Sequence, residues 1–371
     1  MSNELGYNGK KLGFGLMRLP RVKGGTDLEQ TKAMVDLFMK RGFNYFDTAY
    51  VYGDGESERI TKAALVDRYP RESFWLVDKL PFWEAERPEQ MQEYFDESLR
   101  RTGAGYFDIY LLHSLNEELY EKTEKLGAWE FVKGLKEQGL IKHFGFSFHD
   151  TPEVLDKILT EHPEAEVVQL QINYADWENP AVQSRGCYEV ARKHNKPILI
   201  MEPVKGSALA TLNPEMRKVF KDANPDASVA SWAVRFAASL PGVMTVLSGM
   251  SNLDQVLDNT SYMADFAPLS EEEYTVINKV VEMLLAVPVI PCTKCRYCVD
   301  ACPQGIDIPD VFEIYNELLL FDDRPRAERK YRRIEEGRPS TCIACGGCMV
   351  HCPQHIEIPD SLRKVTATLG E

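Results

Sequence analysis

Over roughly the first 265 residues, short apolar runs alternate with stretches whose apolar residues recur every three to four positions. The runs near Leu12–Met17, Asn44–Asp47, Phe74–Lys79, Phe107–His113, Lys142–Ser147, Val167–Asn173, Pro197–Glu202 and Val243–Ser248 predict strands. Helical patterns begin near Asp27, Glu56, Pro88, Gly127, Pro152, Pro180, Asp226 and Asn252, so each strand is followed by a helix. Such alternation implies a parallel sheet, because parallel neighbours need long crossovers. Eight strand–helix units of this total length predict a closed (β/α)8 barrel. A doubly wound open sheet is the alternative. It would want a Gly-x-Gly-x-x-Gly loop after the first strand, of which Gly13-Phe-Gly15 is only a fragment.

The pattern changes around Ala286–Pro291, where Pro288 and Pro291 break the preceding helix. We therefore expect a barrel domain over 1–285 and a small module over 286–371. The module holds a repeat: Cys292-Thr-Lys-Cys295-Arg-Tyr-Cys298-Val-Asp-Ala-Cys302-Pro begins one copy and Cys342-Ile-Ala-Cys345-Gly-Gly-Cys348-Met-Val-His-Cys352-Pro the other. The charged segment between them, about Val311 to Glu336, reads as helical.

Thiolates spaced by two residues let one turn of chain wrap three corners of an iron–sulfur cube, and the fourth ligand comes from elsewhere. In two-cluster ferredoxins it comes from the other repeat. That pattern assigns Cys292, Cys295, Cys298 and Cys352 to one 4Fe-4S cluster, and Cys342, Cys345, Cys348 and Cys302 to a second. Zinc would ask for two Cys-x2-Cys pairs, not two runs each closed by Cys-Pro. The ninth cysteine, Cys187, falls in the helical pattern Ala181–His194 and reads as core packing. Arg324, Arg326, Arg329, Lys330, Arg332 and Arg333 make a basic stretch that either offsets the clusters' charge or receives an acidic ferredoxin or flavodoxin.

Composition narrows the classes further. The chain has 371 residues and a net charge of −14, which argues against nucleic-acid and anionic-membrane partners. There is no apolar run of the ~18 residues a membrane span needs. The polar start, Met1–Lys11, lacks a secretory pattern, so a reducing cytoplasm is the expected compartment.

Barrel active sites form at the C-terminal ends of strands. Asp47 ends the second strand with Tyr52 in the loop beyond, Lys79 ends the third, and His113 ends the fourth. A phenol is a poor acid at pH 7, but an adjacent ammonium stabilises its anion and a carboxylate holds the ammonium. An imidazole nearby can orient a carbonyl oxygen. Together the four describe general-acid assistance to carbonyl reduction.

Phe46-Asp47-Thr48-Ala49-Tyr50-Val51-Tyr52-Gly53, followed by Glu56, resembles the Asp-Thr-Ala-x-x-Tyr-Gly signature of the aldo-keto reductases. Lys79 and His113 match that family's other catalytic positions. The resemblance runs from Gly13 through Met250, and the cluster module is similar to an iron–sulfur branch found in many anaerobes. It implies hydride transfer from NADP(H), or NAD(H), to a small-molecule carbonyl, with Tyr52 as acid. It also implies a cofactor site from Met17, Ser147, Gln169, Met201, Pro203, Val204, Lys205, Gly206, Ser248, Met250, Asn252, Gln255 and Asn259. Phe148 and Met201 depart from the residues usual there. Clusters pass single electrons and nicotinamide passes hydride, so FMN is an alternative cofactor that could couple them. The competing readings are a cluster-to-flavin electron-transfer enzyme and a redox-sensing barrel. Phe82, Trp83, Trp129, Phe148 and Trp177 offer either the lining of an apolar, ring-binding mouth or, for several of them, core packing.

Overall fold

The computed structural model describes residues 5–292, 294, 296–334, 336–352 and 354–370. The chain packs as two compact units, one of residues 1–206 and 230–271, the other of residues 207–229 and 272–371. The stretch 207–229 and most of the helix Glu271–Ala286 thus group with the C-terminal unit.

Eight parallel strands close the barrel: β1 (Leu12–Gly15), β2 (Tyr45–Asp47), β3 (Trp75–Leu80), β4 (Phe107–Leu115), β5 (Ile141–Phe148), β6 (Val167–Gln171), β7 (Ile198–Met201) and β8 (Val243–Ser248). Their order around the ring is β1-β8-β7-β6-β5-β4-β3-β2, so every strand neighbours those next to it in sequence. The first strand is shorter than expected. Leu16–Arg18 leave the sheet in a single 3-10 turn, and Met17 is exposed.

Alternation along the strands sends one set of side chains inward. Tyr45, Val77, Ile109, Leu111, Val167 and Leu199 form that interior, and Leu5 and Tyr7 join it. Tyr7 packs edge-on against Tyr45 and Trp75, which begin β2 and β3. Inward packing tightens between β5 and β6. A Cβ on Gly145 would lie 1.9 Å from the Val167 carbonyl oxygen, so only glycine permits this approach.

In the C-terminal unit, Ile306, Ile308, Val311, Phe312, Ile356, Ile358, Leu362 and Val365 build a separate apolar core, with Cys298 and Cys348 in it. The segment read as one helical stretch is two helices, Ile308–Phe321 and Arg324–Arg332. Asp322 is left-handed (φ 54°), and Asp323 caps the second helix by accepting from Arg326 N. Proline at position 325 suits the first turn of a helix and not its interior.

Candidate functional site

The interior phase fixes which strand ends face one another. Two residues beyond Tyr45, Val77, Leu111, Val167 and Leu199 come Asp47, Lys79, His113, Gln169 and Met201. All share the inward face at the C-terminal rim. Ser147 pairs in register with Gln169 and joins the same ring. Strand β6 stands opposite β2 in the eight-stranded ring, yet Gln169 Nε2 donates to Asp47 Oδ2 at 3.1 Å. That bond therefore spans the barrel.

Lys79 is fully buried. Its ammonium donates to Asp47 Oδ1 at 2.6 Å and to the Thr48 carbonyl at 2.6 Å, and lies 4.9 Å from the Tyr52 ring centroid. Burial works to lower the ammonium's pKa, and Asp47, Tyr52 and Asp78 together more than offset it, so Lys79 stays above its ordinary value. Burial pushes Asp47 up against the pull of Lys79. It also raises Tyr52, with Lys79 opposing. Lysine thus restrains the rise without taking the phenol below its ordinary value, and the hydroxyl keeps its proton at neutral pH.

Tyr52 reaches the rim from a tight turn. Three successive left-handed residues, Gly53, Asp54 and Gly55 (φ 59°, 54° and 76°), reverse the chain, and the helix Glu56–Thr61 follows. Glycine takes such angles without steric cost. Ser57 anchors the turn by donating to the Leu16 carbonyl and bonding Thr48 Oγ1. Glu56 accepts from Thr26 N and pairs with Arg21 at the surface.

His113 stands edge-on to Tyr52, ring centroids 5.9 Å apart, with Trp83 5.2 Å away. An irregularity in β4–β5 pairing falls at Leu112–Leu115, where Ser114 adopts φ 61° and donates its N–H to Ser147 Oγ at 2.7 Å. Such bulges re-aim side chains at barrel rims. His113 Nδ1 is buried with no hydrogen-bond partner. Burial first, then the charges of Lys79 and His149, hold its pKa well below 6.5, so the ring is neutral at pH 7.

The other expected cofactor residues cluster on neighbouring loops. After β7, the left-handed Glu202, Lys205 and Ser207 fold 202–207 into a tight loop containing Pro203, Val204 and Gly206. Lys205 is tied to the buried Asp176 at 2.5 Å, a partner not read from sequence. Beyond β8, Asn259 donates to Ser248 Oγ, Asn252 caps its helix by accepting from Gln255 N, and Gln255 Oε1 accepts from Ser251 N. Met250 is buried. Arg18, also unread, donates to Glu202 and the Gly206 carbonyl, while its own carbonyl accepts from Ser251 Oγ. Arg18 therefore joins the two loops, its guanidinium on the first and its carbonyl on the second. An amide and a hydroxyl (Gln169, Ser147) beside a thioether (Met201) fit a flat carboxamide-bearing ring.

Of the aromatic residues read as mouth or core, Trp83 alone borders the catalytic ring. Phe82 is buried, Trp129 stacks on His162 at 4.1 Å, and Trp177 packs on Tyr188 and Phe236. Phe148 borders a cavity of about 470 Å³ with His149, Gln171 and Cys187. Burial raises the Cys187 thiol to about 12, which keeps it protonated and unreactive.

In the C-terminal unit the cysteines separate into two groups. Cys292, Cys298 and Cys352 line one cavity of about 310 Å³, and Cys302, Cys342, Cys345 and Cys348 line another of the same size. Cys295 lies outside the described residues. Each run thus lends its last cysteine to the cavity of the other. The two runs also share left-handed residues at matching places: Lys294 with Ala344, Arg296 with Gly346, and Gly305 with His355. Such turns direct successive N–H groups toward an anionic centre. Thiols from both runs converging on each of two cavities fit cubane clusters.

The family model described as Aldo/keto reductase family matches residues 11–282, and one described as a 4Fe-4S dicluster domain matches 291–357. An uncharacterized oxidoreductase of Bacillus subtilis, YqkF, is 24% identical over 294 residues, covering 71% of this chain and 90% of its own. Among solved structures, the aldo-keto reductase AKR11C1 of Bacillus halodurans (holo form) aligns with a TM-score of 0.57 at 24% identity, covering 74% of this chain and 93% of its own. An aldo-keto reductase of Klebsiella pneumoniae in complex with NADPH aligns with a TM-score of 0.57 at 21% identity, over 73% and 90% of the two chains. At these identities the structural likeness establishes the barrel fold. Among the described residues, no helix is long and apolar enough to cross a membrane.

Proposed function

Because the chain belongs to the aldo/keto reductase family, we propose that it reduces a small carbonyl compound with NADP(H) or NAD(H), using Tyr52 as the general acid. The observation that carries this reading is the buried Lys79 ammonium, held by Asp47 and the Thr48 carbonyl beneath the Tyr52 ring. Ser147, Gln169 and Met201 would hold the nicotinamide, which supplies hydride when bound. Tyr52 Oη gives its proton to the carbonyl oxygen as negative charge develops there. Lys79 stabilises the phenolate left behind, and Asp47 keeps the ammonium in place. Neutral His113 orients the carbonyl oxygen, and Trp83 offers an apolar wall beside it.

The direct test is anaerobic NADPH and NADH consumption against a panel of aldehydes and ketones. No turnover with any of them, despite tight cofactor binding, would count against the proposal. The pH profile is a second check. His113 sits well below its ordinary 6.5 and Tyr52 above its ordinary 10. Neither titrates between about pH 6.5 and 9, so kcat/KM should be flat there and fall only as the phenol loses its proton at higher pH. An inflection near 6.5 that disappears in His113→Gln would show that the imidazole works as a cation instead.

For the dicluster domain we propose two 4Fe-4S clusters that exchange single electrons with a soluble ferredoxin- or flavodoxin-like carrier, in a reducing cytoplasm. The loops that hold the thiols reach the surface: Cys345 is exposed, Tyr297 is 67% exposed and Ile343 62%. Protein isolated without oxygen should carry eight irons and eight acid-labile sulfides per chain. Cys348→Ala, which removes a buried ligand, should bring both to about four. Zinc in place of iron would sink the assignment.

A further inference from the structure

We propose that the two clusters are electronically unequal, and that Arg296 makes the cluster held by Cys292, Cys298 and Cys352 the more easily reduced. This deepens the two-cluster reading above and rests on it.

The repeat offers an internal control. Shifting the first run by fifty residues superposes its cavity lining on that of the second: Pro309 falls on Pro359, Ile358 on Ile308 and Gln354 on Gln304. Matching residues even share backbone conformation, since Arg296 (φ 64°) and Gly346 (φ 74°) are both left-handed. Among the described residues that line both cavities at matching positions, three differ in type. Arg296 in the first cavity is Gly346 in the second, His351 is Ala301, and Phe312 is Leu362. Arg296 and His351 line the first cavity. Among the described residues that line the second, none but cysteine is ionisable.

A 4Fe-4S cube with four thiolates carries two negative charges when oxidised and three after taking one electron. A fixed cation at its wall favours the more negative form and so raises the potential. Arg296 is itself paired, to Asp307 at 2.5 Å and Asp310 at 3.6 Å. Those acids do not create the difference, because Glu357 and Asp360 stand at the matching positions of the second copy. Arg363 pairs with Asp360 at the surface and does not line the second cavity. What distinguishes the two linings in charge is Arg296, with His351 as a further polar residue. Arginine in a left-handed conformation where its counterpart is glycine carries a backbone cost.

The test is a potentiometric titration of the cluster-loaded protein with dithionite, followed by electron paramagnetic resonance. Two one-electron midpoints are expected, separated by at least tenfold in reduction equilibrium, which is about 59 mV. Arg296→Gly should lower the upper midpoint toward the lower one, and Arg296→Lys should retain it. Gly346→Arg should raise the lower midpoint. That site has room, since a Cβ there meets nothing within 4 Å. Coincident midpoints in the unaltered protein, or an upper midpoint that Arg296→Gly leaves in place, would overturn the inference with the two-cluster reading intact. A loaded chain with only four irons would overturn both.

Discussion

Replacing Tyr52 by phenylalanine should lower kcat/KM for carbonyl reduction by about 10²–10⁴, or roughly 3–5 kcal/mol of transition-state stabilisation. The substitution removes one oxygen and keeps the ring, so it tests the proton and little else. Lys79 retains Asp47 and the Thr48 carbonyl, both at 2.6 Å, and His113 retains the edge of an aromatic ring. Cofactor affinity, read by quenching of protein fluorescence on NADPH addition, should change by no more than about twofold. The turn that presents position 52 depends on Gly53 and Gly55 and on Ser57, none of which contacts the hydroxyl through a recorded bond. Thermal unfolding should therefore be nearly unchanged. A phenylalanine variant that still turns over at a substantial rate would move the acid role to His113 or to water.

The convergence of Asp47, Tyr52, Lys79 and His113 on one rim was legible because a parallel barrel converts sequence into geometry with little freedom. Once eight strands are placed, a polar residue at the end of an apolar run lands on the rim. The period-two alternation then decides whether it points in. Asp47, Lys79 and His113 satisfy both conditions. The split of cysteines between two cavities was legible for a similar reason, since close spacing binds three ligands together and leaves the fourth to the repeat.

What escaped the sequence lies in contacts between segments far apart along the chain. Asp176 captures Lys205 from 29 positions away, and Arg18 reaches Glu202 across 184. Neither partnership leaves a periodic trace. The sequence could not sort the aromatic residues, because bulk and apolarity suit a mouth and a core equally. Trp129 hydrogen-bonds Thr123 and stacks on His162 beneath the surface, whereas Trp83 beside His113 differs from it only in placement. The carboxyls behind the site were also unread. Asp78 Oδ1 accepts from the Lys79 N–H, and burial, with Glu58 adding, pushes its pKa well up. An outward-facing acid on a strand reads as solvated until the covering helix is known.

Replacing Lys79 by methionine should have the second large effect, and it separates structural from chemical roles. The ammonium is 0% exposed and is the countercharge bonded to the Asp47 carboxylate, which is itself buried. Removing one partner of such a pair leaves a buried charge uncompensated and costs about 3–5 kcal/mol. The Lys79 ammonium has a raised pKa, so its contribution is fully present below its ordinary value and is lost only as pH rises through the folded value. In the variant, Asp47 loses the cation that opposes its upward shift, so it takes up a proton more readily. The destabilisation should therefore grow as pH rises in urea titrations. Adding Asp47→Asn removes the stranded carboxylate while an amide oxygen can still accept from Gln169. The double variant should regain much of the lost stability. It should not regain activity, because Lys79 also opposes the rise that burial imposes on the Tyr52 phenol. Without the ammonium, the phenolate left after proton transfer has no cation beside it. Recovery of stability and turnover together would mean that Lys79 serves only to neutralise Asp47.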